Sequence, residues 1–460
     1  MSVTALRRRL ARLRVVGAGP DSGVSLIEVM VAMLVFAIVS SGVIATLSLS
    51  VKETRDGRNR VQAAQLAARE LEIARNQFTS TAAGGGPDSL ALNAVRNPSP
   101  LAVGGTVGRP LVVDKTAYTV VRTARWTGSA AGAGVSPCDS GATDRLVYLH
   151  VRVEVTWGQM GDTPPVVSDT ILTPRSGAQT GTATGHIAVK VVNAAGGPQG
   201  GVTVGISAPG VAKTGVTASD GCAVFGFLTP GNYTTSVSAT GLPDVYVDQG
   251  GATTATTTIC VTAGNLLKHT FSYDRAAVLS FTYESPATGH SVPAGLDGMT
   301  IRLSGSNLQP NGVAAFPGSG TPRVIANLFP STAGYSYAFG TCTSNVAAGT
   351  AAATPGTTKS VGYRPTALTL DVVHDSDGSA YSGVQVVAVG VTDTGCATAP
   401  TFTLGTTGAD GRLLTSLPPG TWSLQVAGKS GGANTTPVDG QKWPQRTVGT
   451  SAASYTIRAV

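Results

Sequence analysis

The first 80 residues carry two hydrophobic patterns in succession. From Val29 to Val51 the chain has 23 residues without a charged side chain. At 1.5 Å per residue, this run is long enough to cross a bilayer core of about 30 Å. Apolar side chains then return every three or four residues, as in an amphipathic helix, at Val61, Ala64, Ala68, Leu71 and Phe78. The pattern predicts one helix over residues 24–80, which the glycine-rich stretch TAAGGGPDS ends.

Residues 81–175 show the period-two alternation of strands. In RLVYLHVRVEVTW (145–157), Leu149, Val151 and Val153 lie on one face, and His150 lies on the other. The segments AYTVVRTARW (117–126) and PVVSDTILTPR (165–175) predict two more strands. We expect His150 to face solvent, because no other candidate ligand accompanies it.

Past residue 175 the chain repeats itself. VVNAAGGPQGGVTVGIS (191–207) matches VVHDSDGSAYSGVQVVAVG (372–390), and SDGCAVFGFLTPGNYTTSV (219–237) matches ADGRLLTSLPPGTWSLQV (409–426). LFPSTAGYSYAFGTC (328–342) is a looser third copy. Pro-Gly forces a turn, and the aromatic residue after it begins a strand with its ring available to a core. The repeats predict three β-modules, at 176–275, 276–365 and 366–460.

The formal charge is +7, but its location argues against nucleic-acid binding. Five arginines (Arg7, Arg8, Arg9, Arg12 and Arg14) and Asp21 give the first 23 residues a charge of +4, so that 7 − 4 = +3 remains for the rest. A nucleic-acid site normally has a clustered basic face. The basic N-terminal residues are instead typical of the cytoplasmic flank of a membrane segment.

The segment GVSLIEVMVAMLVFAIV (23–39) resembles the class III leader of type IV pilins and pseudopilins. A secretory signal peptide has a shorter apolar region, and a plain signal anchor does not explain Gly23 or Glu28. The resemblance implies that a prepilin peptidase cuts between Gly23 and Val24 and methylates the amine of Val24. Val24 departs from the phenylalanine that is usual there. The resemblance also implies a long helix packed on a small antiparallel sheet at 81–175.

Glu28 would be the fifth residue after cleavage, about one turn from the new amine. An unpaired carboxylate inside a membrane is costly. When helices bundle into a filament, Glu28 can pair with the amine of a neighbouring subunit, and the pairing fixes the register. The implied partners are the prepilin peptidase, other pilin subunits, the pilus assembly platform and the membrane. The implied location is a single-pass membrane protein with its C-terminus outside the cytoplasm, or a surface pilus.

The three modules resemble transthyretin-like or collagen-adhesin B-type repeats, which are immunoglobulin-like sandwiches. The fold class expected for the chain is therefore α+β. Some repeats of that family form Lys–Asn isopeptide bonds with the help of an acid, but the first and third modules have no glutamate. We therefore expect no such bond at Lys190. Disulfides are the expected crosslinks of an exported chain: Cys222 with Cys260 and Cys342 with Cys396, with the state of Cys138 open.

No catalytic or cofactor-binding motif is present, so neither an enzyme nor a cofactor is expected. HDSDGSAYSG (374–383) lacks the twelfth-position glutamate of a calcium loop, and we interpret it as a turn without a metal. Trp443, in GQKWPQR, is interpreted as a loop residue and is the one candidate for ligand binding.

Two functions remain in competition. The first is a minor pilin or pseudopilin, because three modules are bulky for a subunit repeated along a thin filament. The second is a surface adhesin that binds glycan, matrix or DNA through its modules. Replacement of Glu28 distinguishes them, since only filament entry requires that carboxylate.

Overall fold

The computed structural model divides into two compact units. The first contains residues up to Leu71 together with Arg96–Val121 and Val153–Ser168, and the second contains Glu72–Val95, Arg122–Arg152 and Asp169–Val460. The described residues are 25–80, 90, 95–98, 108–128, 136–139, 146–158, 160, 161, 163–173, 184–320, 322–340, 342, 346–392, 400–429, 443 and 445–460.

One helix, α1 (Leu26–Thr79), runs unbroken for 54 residues, including Gly42 and Gly57. Its first half has no buried residue, and a buried stripe begins at Asn59, whose amide oxygen accepts a hydrogen bond of 3.2 Å from the hydroxyl of Tyr118. The stripe comprises Asn59, Ala63, Leu66, Ala67, Glu70, Leu71, Ala74 and Phe78. The helix was predicted correctly, but most of its buried face was not: Val61, Ala64 and Ala68 are exposed.

The strands between residues 95 and 172 form a five-stranded sheet with the order β1-β3-β4-β5, and β2 also pairs with β3. The predicted inward face of β4 is confirmed, since Leu149, Val151, Val153 and Val155 are all buried. On the other face His150 is half exposed and lies 3.2 Å from Asp169. The strands are β1 (Val95–Arg96), β2 (Leu111–Val113), β3 (Thr116–Gly128), β4 (Leu146–Trp157) and β5 (Val166–Leu172).

The strands between residues 185 and 275 form two four-stranded sheets around one hydrophobic core. Their orders are β12-β10-β7-β8 and β11-β13-β6-β9. We call this the first module. The strands are β6 (Gly185–Val192), β7 (Thr203–Ala208), β8 (Val211–Val216), β9 (Cys222–Leu228), β10 (Gly231–Ser238), β11 (Tyr246–Asp248), β12 (Thr254–Val261) and β13 (Leu266–Arg275).

The second module (277–363) pairs a three-stranded sheet, β17-β14-β20, with a four-stranded one, β16-β15-β18-β19. A 3-10 helix, Leu296–Gly298, precedes β15. The strands are β14 (Ala277–Tyr283), β15 (Ile301–Ser304), β16 (Val313–Phe316), β17 (Arg323–Leu328), β18 (Ser331–Phe339), β19 (Gly349–Ala353) and β20 (Thr358–Tyr363).

The third module (366–459) has the same arrangement, with sheets β24-β21-β27 and β23-β22-β25-β26. The structure is thus α+β, with one long helix and a mostly β body. The predicted limits of the modules stay predictions. The strands are β21 (Thr366–His374), β22 (Gln385–Gly390), β23 (Thr401–Thr406), β24 (Arg412–Leu417), β25 (Gly420–Val426), β26 (Gln445–Val448) and β27 (Ala453–Ala459).

The repeated residues do the same structural work in each module. The aromatic residue after each turn is buried: Tyr233, Tyr335 and Trp422 are at most 2% exposed. Each bonds back to the carbonyl of a preceding residue, as Tyr233 does to Thr229 at 2.9 Å and Trp422 to Pro418 at 3.0 Å. These bonds satisfy the polar end of a ring whose body fills the core.

The Asp-Gly turns are also equivalent. Gly221 and Gly411 have φ of 73° and 72°. A Cβ at either position would lie within 2.6 Å of the carbonyl oxygen of Val191 or Val372, so only glycine fits.

In every module the first strand pairs in parallel with the last: β6 with β13, β14 with β20 and β21 with β27. The connections between modules are very short. One residue, Ala276, separates β13 from β14, and two, Arg364 and Pro365, separate β20 from β21. The chain therefore passes from the last strand of one module almost directly into the first strand of the next.

Candidate functional site

The N-terminal half of α1 has an apolar surface on every side. Its large apolar residues between 26 and 51 are 41% to 77% exposed, and this is a helix long and apolar enough to span a membrane by length and composition. Hydroxyl groups within it bond to carbonyls one turn back, as Ser41 does to Ile38 at 2.8 Å and Ser48 to Ile44 at 2.8 Å. Such bonds leave few polar groups unsatisfied in a medium without water.

Glu28 lies in the first turn of this helix. Its backbone N–H donates to the carbonyl of Ser25 at 2.9 Å, which places the carboxylate where the partial positive charge of a helix N-terminus favours an anion. The surface beside it is apolar and slightly concave, and is formed by Ile27, Val31, Ala32, Val35, Phe36 and Val39. Among the described residues, no basic side chain forms an ion pair with Glu28.

The predicted cleavage and methylation residues, Gly23 and Val24, lie outside the described residues. What the structure adds is the state of the segment that follows them. It is a bare helix with a single carboxylate at its start and with apolar side chains free to contact lipid or other helices. This arrangement permits lateral packing of helices.

The predicted disulfide between Cys222 and Cys260 is wrong. Cys222 pairs with Cys138, across a sequence separation of 84, and Cys260 is an exposed free thiol. Register explains the error: Cys260 lies on β12, opposite Asn232, in one sheet, while Cys222 lies on β9 in the other. Proximity in sequence within one module carried no information about which sheet each cysteine joins.

The bridge ties residues 136–139 to the first module, and polar contacts surround it. The Asp139 carboxylate lies 2.9 Å from Nζ of Lys190, and its carbonyl accepts a bond of 3.0 Å from Lys268. Lys190, the position considered for an isopeptide bond, thus forms an ion pair with a residue outside its module. The absence of isopeptide bonds stays a prediction.

The structure describes only one of the two cysteines of the second predicted disulfide. Cys342 is disulfide-bonded and 2% exposed. Its predicted partner, Cys396, lies outside the described residues. This pairing stays a prediction.

Trp443 is not an exposed binding residue, and the prediction is wrong on this point. It lies outside the strands, as expected of a loop residue, but it is only 7% exposed and belongs to the hydrophobic core shared by residues 277–459. A large ring next to a proline in a loop does not by itself distinguish a surface anchor from a core residue.

The aspartate-rich loop after β21 is a closed turn. The carboxylate of Asp377 accepts bonds from both the N–H (3.0 Å) and the hydroxyl (2.7 Å) of Ser379. These bonds hold the pKa of Asp377 below its ordinary value. Across the described ranges, no three potential metal ligands cluster.

Residues 20–44 match the family model described as the prokaryotic N-terminal methylation motif. The chain therefore carries a prepilin-type leader, and this leader implies processing by a prepilin peptidase and assembly with other pilin subunits. No curated protein matches the chain.

Solved structures with some similarity include several pilins. The TIE protein of Bacillus anthracis is 12% identical, covers 80% of this chain and 72% of its own, and has a TM-score of 0.20. A minor pilin of Streptococcus agalactiae (12% identity, 39% and 94%, TM-score 0.18) and BcpA, the major pilin subunit of Bacillus cereus (13%, 60% and 99%, TM-score 0.18), are similar to the same degree. TM-scores this low do not establish a common overall fold.

Proposed function

We propose that the chain is a minor pilin or pseudopilin, a structural subunit that enters or caps a type IV pilus-like filament. The observation that carries the proposal is the methylation motif at residues 20–44, continued by a helix whose only early charge is Glu28. Leader and helix belong together, because cleavage after Gly23 would leave the apolar helix at the very start of the mature chain.

Glu28 is the residue that would select the position of each helix in the filament. Before assembly it sits in the first helical turn without a cationic partner among the described residues. In a bundle, the methylated amine of Val24 on a neighbouring subunit supplies that partner. A buried carboxylate without a counter-charge costs several kcal/mol. Helices that mispair by one turn are therefore rejected.

The β-modules form the outward part of the subunit in this proposal. Three modules in series suit a minor, tip-located subunit better than one repeated along the shaft. Before assembly, α1 would cross the cell membrane once, with the modules outside the cytoplasm. In this proposal the modules are of the transthyretin-like or collagen-adhesin B type, no catalytic activity is required, and the assembly platform extracts the subunit from the membrane.

The test is expression of the full chain with a matching prepilin peptidase and assembly machinery. We expect mass spectrometry to find a mature N-terminus at methylated Val24, and the subunit to appear in sheared filaments. Glu28→Gln should still be cleaved and methylated but should be depleted at least tenfold from filaments. Glu53→Gln, on the same helix beyond the apolar run, is the matched control and should assemble normally.

Two results would contradict the proposal. One is a leader that stays intact, or a cut beyond the apolar run, in the wild-type chain. The other is normal filament entry by Glu28→Gln, which would show that the carboxylate does not select the position of the helix in the filament.

A further inference from the structure

A polar cleft of about 510 Å³ lies where the first module meets the second. Its volume falls within the range of roughly 300–1,000 Å³ typical of small-molecule sites. On one side it is lined by the turn after β6 and the end of β13. On the other side it is lined by the loop after β15 and the start of β18. Nearby, the backbone N–H of Gln309 donates to the carbonyl of Gln249 at 3.0 Å and joins the two walls.

One of the residues that line the cleft has a carboxylate in a fixed orientation. Asp274 is 5% exposed, and its two oxygens accept bonds from the backbone N–H of Ala194 (3.0 Å) and of Arg275 (2.7 Å). A carboxylate has about four acceptor positions, so about two remain. Its orientation is set by backbone groups, and it therefore presents the remaining acceptors to the cleft without reorganisation.

Further groups around the carboxylate have unused hydrogen-bonding capacity. Asn193 accepts backbone bonds at its oxygen, and its amide nitrogen donates to nothing within the described ranges. The side-chain amide of Asn307 donates to the carbonyl of Pro330 at 2.9 Å, and its side-chain oxygen remains available as an acceptor. Half-exposed Arg275, whose guanidinium lies 3.7 Å from the carboxylate of Asp244, also lines the cleft, as does Tyr246. The lining therefore offers both donors and acceptors.

We propose that this cleft binds a neutral saccharide. Each sugar hydroxyl both donates and accepts a hydrogen bond, so a polyol needs a mixed set of planar amides, carboxylates and a guanidinium. Two carboxylates against one guanidinium disfavour an anionic ligand. A cation would need at least a third ligand of its own, and no group of three potential metal ligands forms among the described residues. The inference does not depend on filament assembly.

No pattern in the sequence predicts this cleft. Asn193 and Asp274 meet because β6 pairs with β13, and Asn307 lies on the opposite wall of the cleft, in the second module. No spacing motif links them, and a search for motifs along the chain cannot find them. The repeat does not reproduce this set of residues, because the third module has His374 where the first has Asn193.

The test uses the full chain in a detergent without a sugar headgroup. Isothermal titration and saturation-transfer NMR would measure binding of maltotriose, cellotriose, mannotriose and triacetylchitotriose. We expect at least one to bind. Ala333 is exposed and lines the cleft, so Ala333→Trp should fill it and weaken binding at least tenfold. Ala212→Trp, at an exposed position on β8 away from the cleft, is the matched control and should bind as wild type.

A second variant separates chemistry from shape. Asp274→Asn keeps the size of the side chain and removes its charge, and we expect binding to weaken about tenfold, as for a hydrogen bond to a charged group. Because asparagine has one acceptor oxygen, it keeps only one of the two backbone bonds from Ala194 and Arg275. Hydrogen exchange of β6 and β13 in this variant measures whether the module remains folded.

Three results would overturn the proposal. The first is no binding of any of the four trisaccharides, and the second is binding by Ala333→Trp as tight as that of the wild type. The third is binding of only a sulfated trisaccharide or only of calcium ions, added as calcium chloride. None of these would bear on the Glu28 assay. Normal filament entry by Ala333→Trp with loss of saccharide binding would separate the two functions.

Discussion

The two junctions between modules differ in the kind of contact that joins the modules. The first and second modules have separate hydrophobic cores and meet across a polar cleft. The second and third share one continuous core. Ser291 adds three hydrogen bonds to the third module: its N–H and its hydroxyl both donate to the carbonyl of Leu414 (3.2 Å each), and the hydroxyl of Ser416 donates to the carbonyl of Ser291 (2.8 Å). Continuous apolar packing couples the stability of two modules, whereas a polar contact leaves each to unfold by itself. The second and third modules should therefore behave as one body.

The largest effect is expected from Trp422→Ala, in the core of the third module. Trp422 is 1% exposed, and its removal should cost about 3–5 kcal/mol of unfolding free energy. Because the core is shared, hydrogen exchange should accelerate in strands of the second module as well as the third.

Phe225→Ala is the matched variant in the first module, where the core is separate. Its effect on hydrogen exchange should end at β13. If Trp422→Ala left the second module fully protected, the two junctions would not differ as the structure indicates.

The next effect is that of the disulfide between Cys138 and Cys222. Replacing both by serine should lower the stability of the first module by about 2–4 kcal/mol. Thermal unfolding should show a lower midpoint for that module and an unchanged one for the second and third. Cys260→Ser, at the exposed free thiol, is the control and should change neither midpoint.

Acid should weaken the first module selectively. Burial lowers the pKa of His186 to about 4, from 6.5 when unfolded. The unfolded chain therefore binds the proton first, and stability falls as the pH drops from about 6.5 to about 4, by about 3 kcal/mol at the lower end. The third module has no histidine at this position: the alignment of Val191 with Val372 in the repeat places Ala367 where the first module has His186.

His186→Asn removes the titrating group and keeps an acceptor for the N–H of Phe227, which His186 now binds at 3.0 Å. Chemical denaturation at pH 6.5 and pH 4.5 would measure the difference. An equal acid response in wild type and variant would assign the sensitivity to other groups, of which His269, whose pKa burial also lowers, is one.

The smallest effect is expected at the shared junction itself. Ser416→Ala removes the bond to Ser291 and should cost about 1 kcal/mol or less. Differential scanning calorimetry should still show one transition for the second and third modules. Splitting of that transition would mean that this bond, rather than the apolar core, couples them.

The sequence predicted features that depend on local chemistry. The Asp-Gly turns, the aromatic residues after Pro-Gly and the inward face of β4 follow from glycine geometry and period-two alternation. The buried face of α1 does not, because an alanine-rich helix offers little contrast and its buried stripe includes Asn59 and Glu70. The partner of Cys222, the burial of Trp443 and the intermodular cleft depend on how distant segments meet, and no single-sequence pattern records that.

The parallel pairing of first and last strands has a mechanical consequence. A pull on the start of β6 and the end of β13 acts at opposite ends of a pair that runs through seven aligned residues. The hydrogen bonds between the two strands are therefore loaded in shear, and they must break together instead of one after another. The same holds for the six-residue pair of β14 with β20 and the seven-residue pair of β21 with β27. With one or two residues between modules, little slack is available, and a load on one end of the series reaches the other with almost no extension.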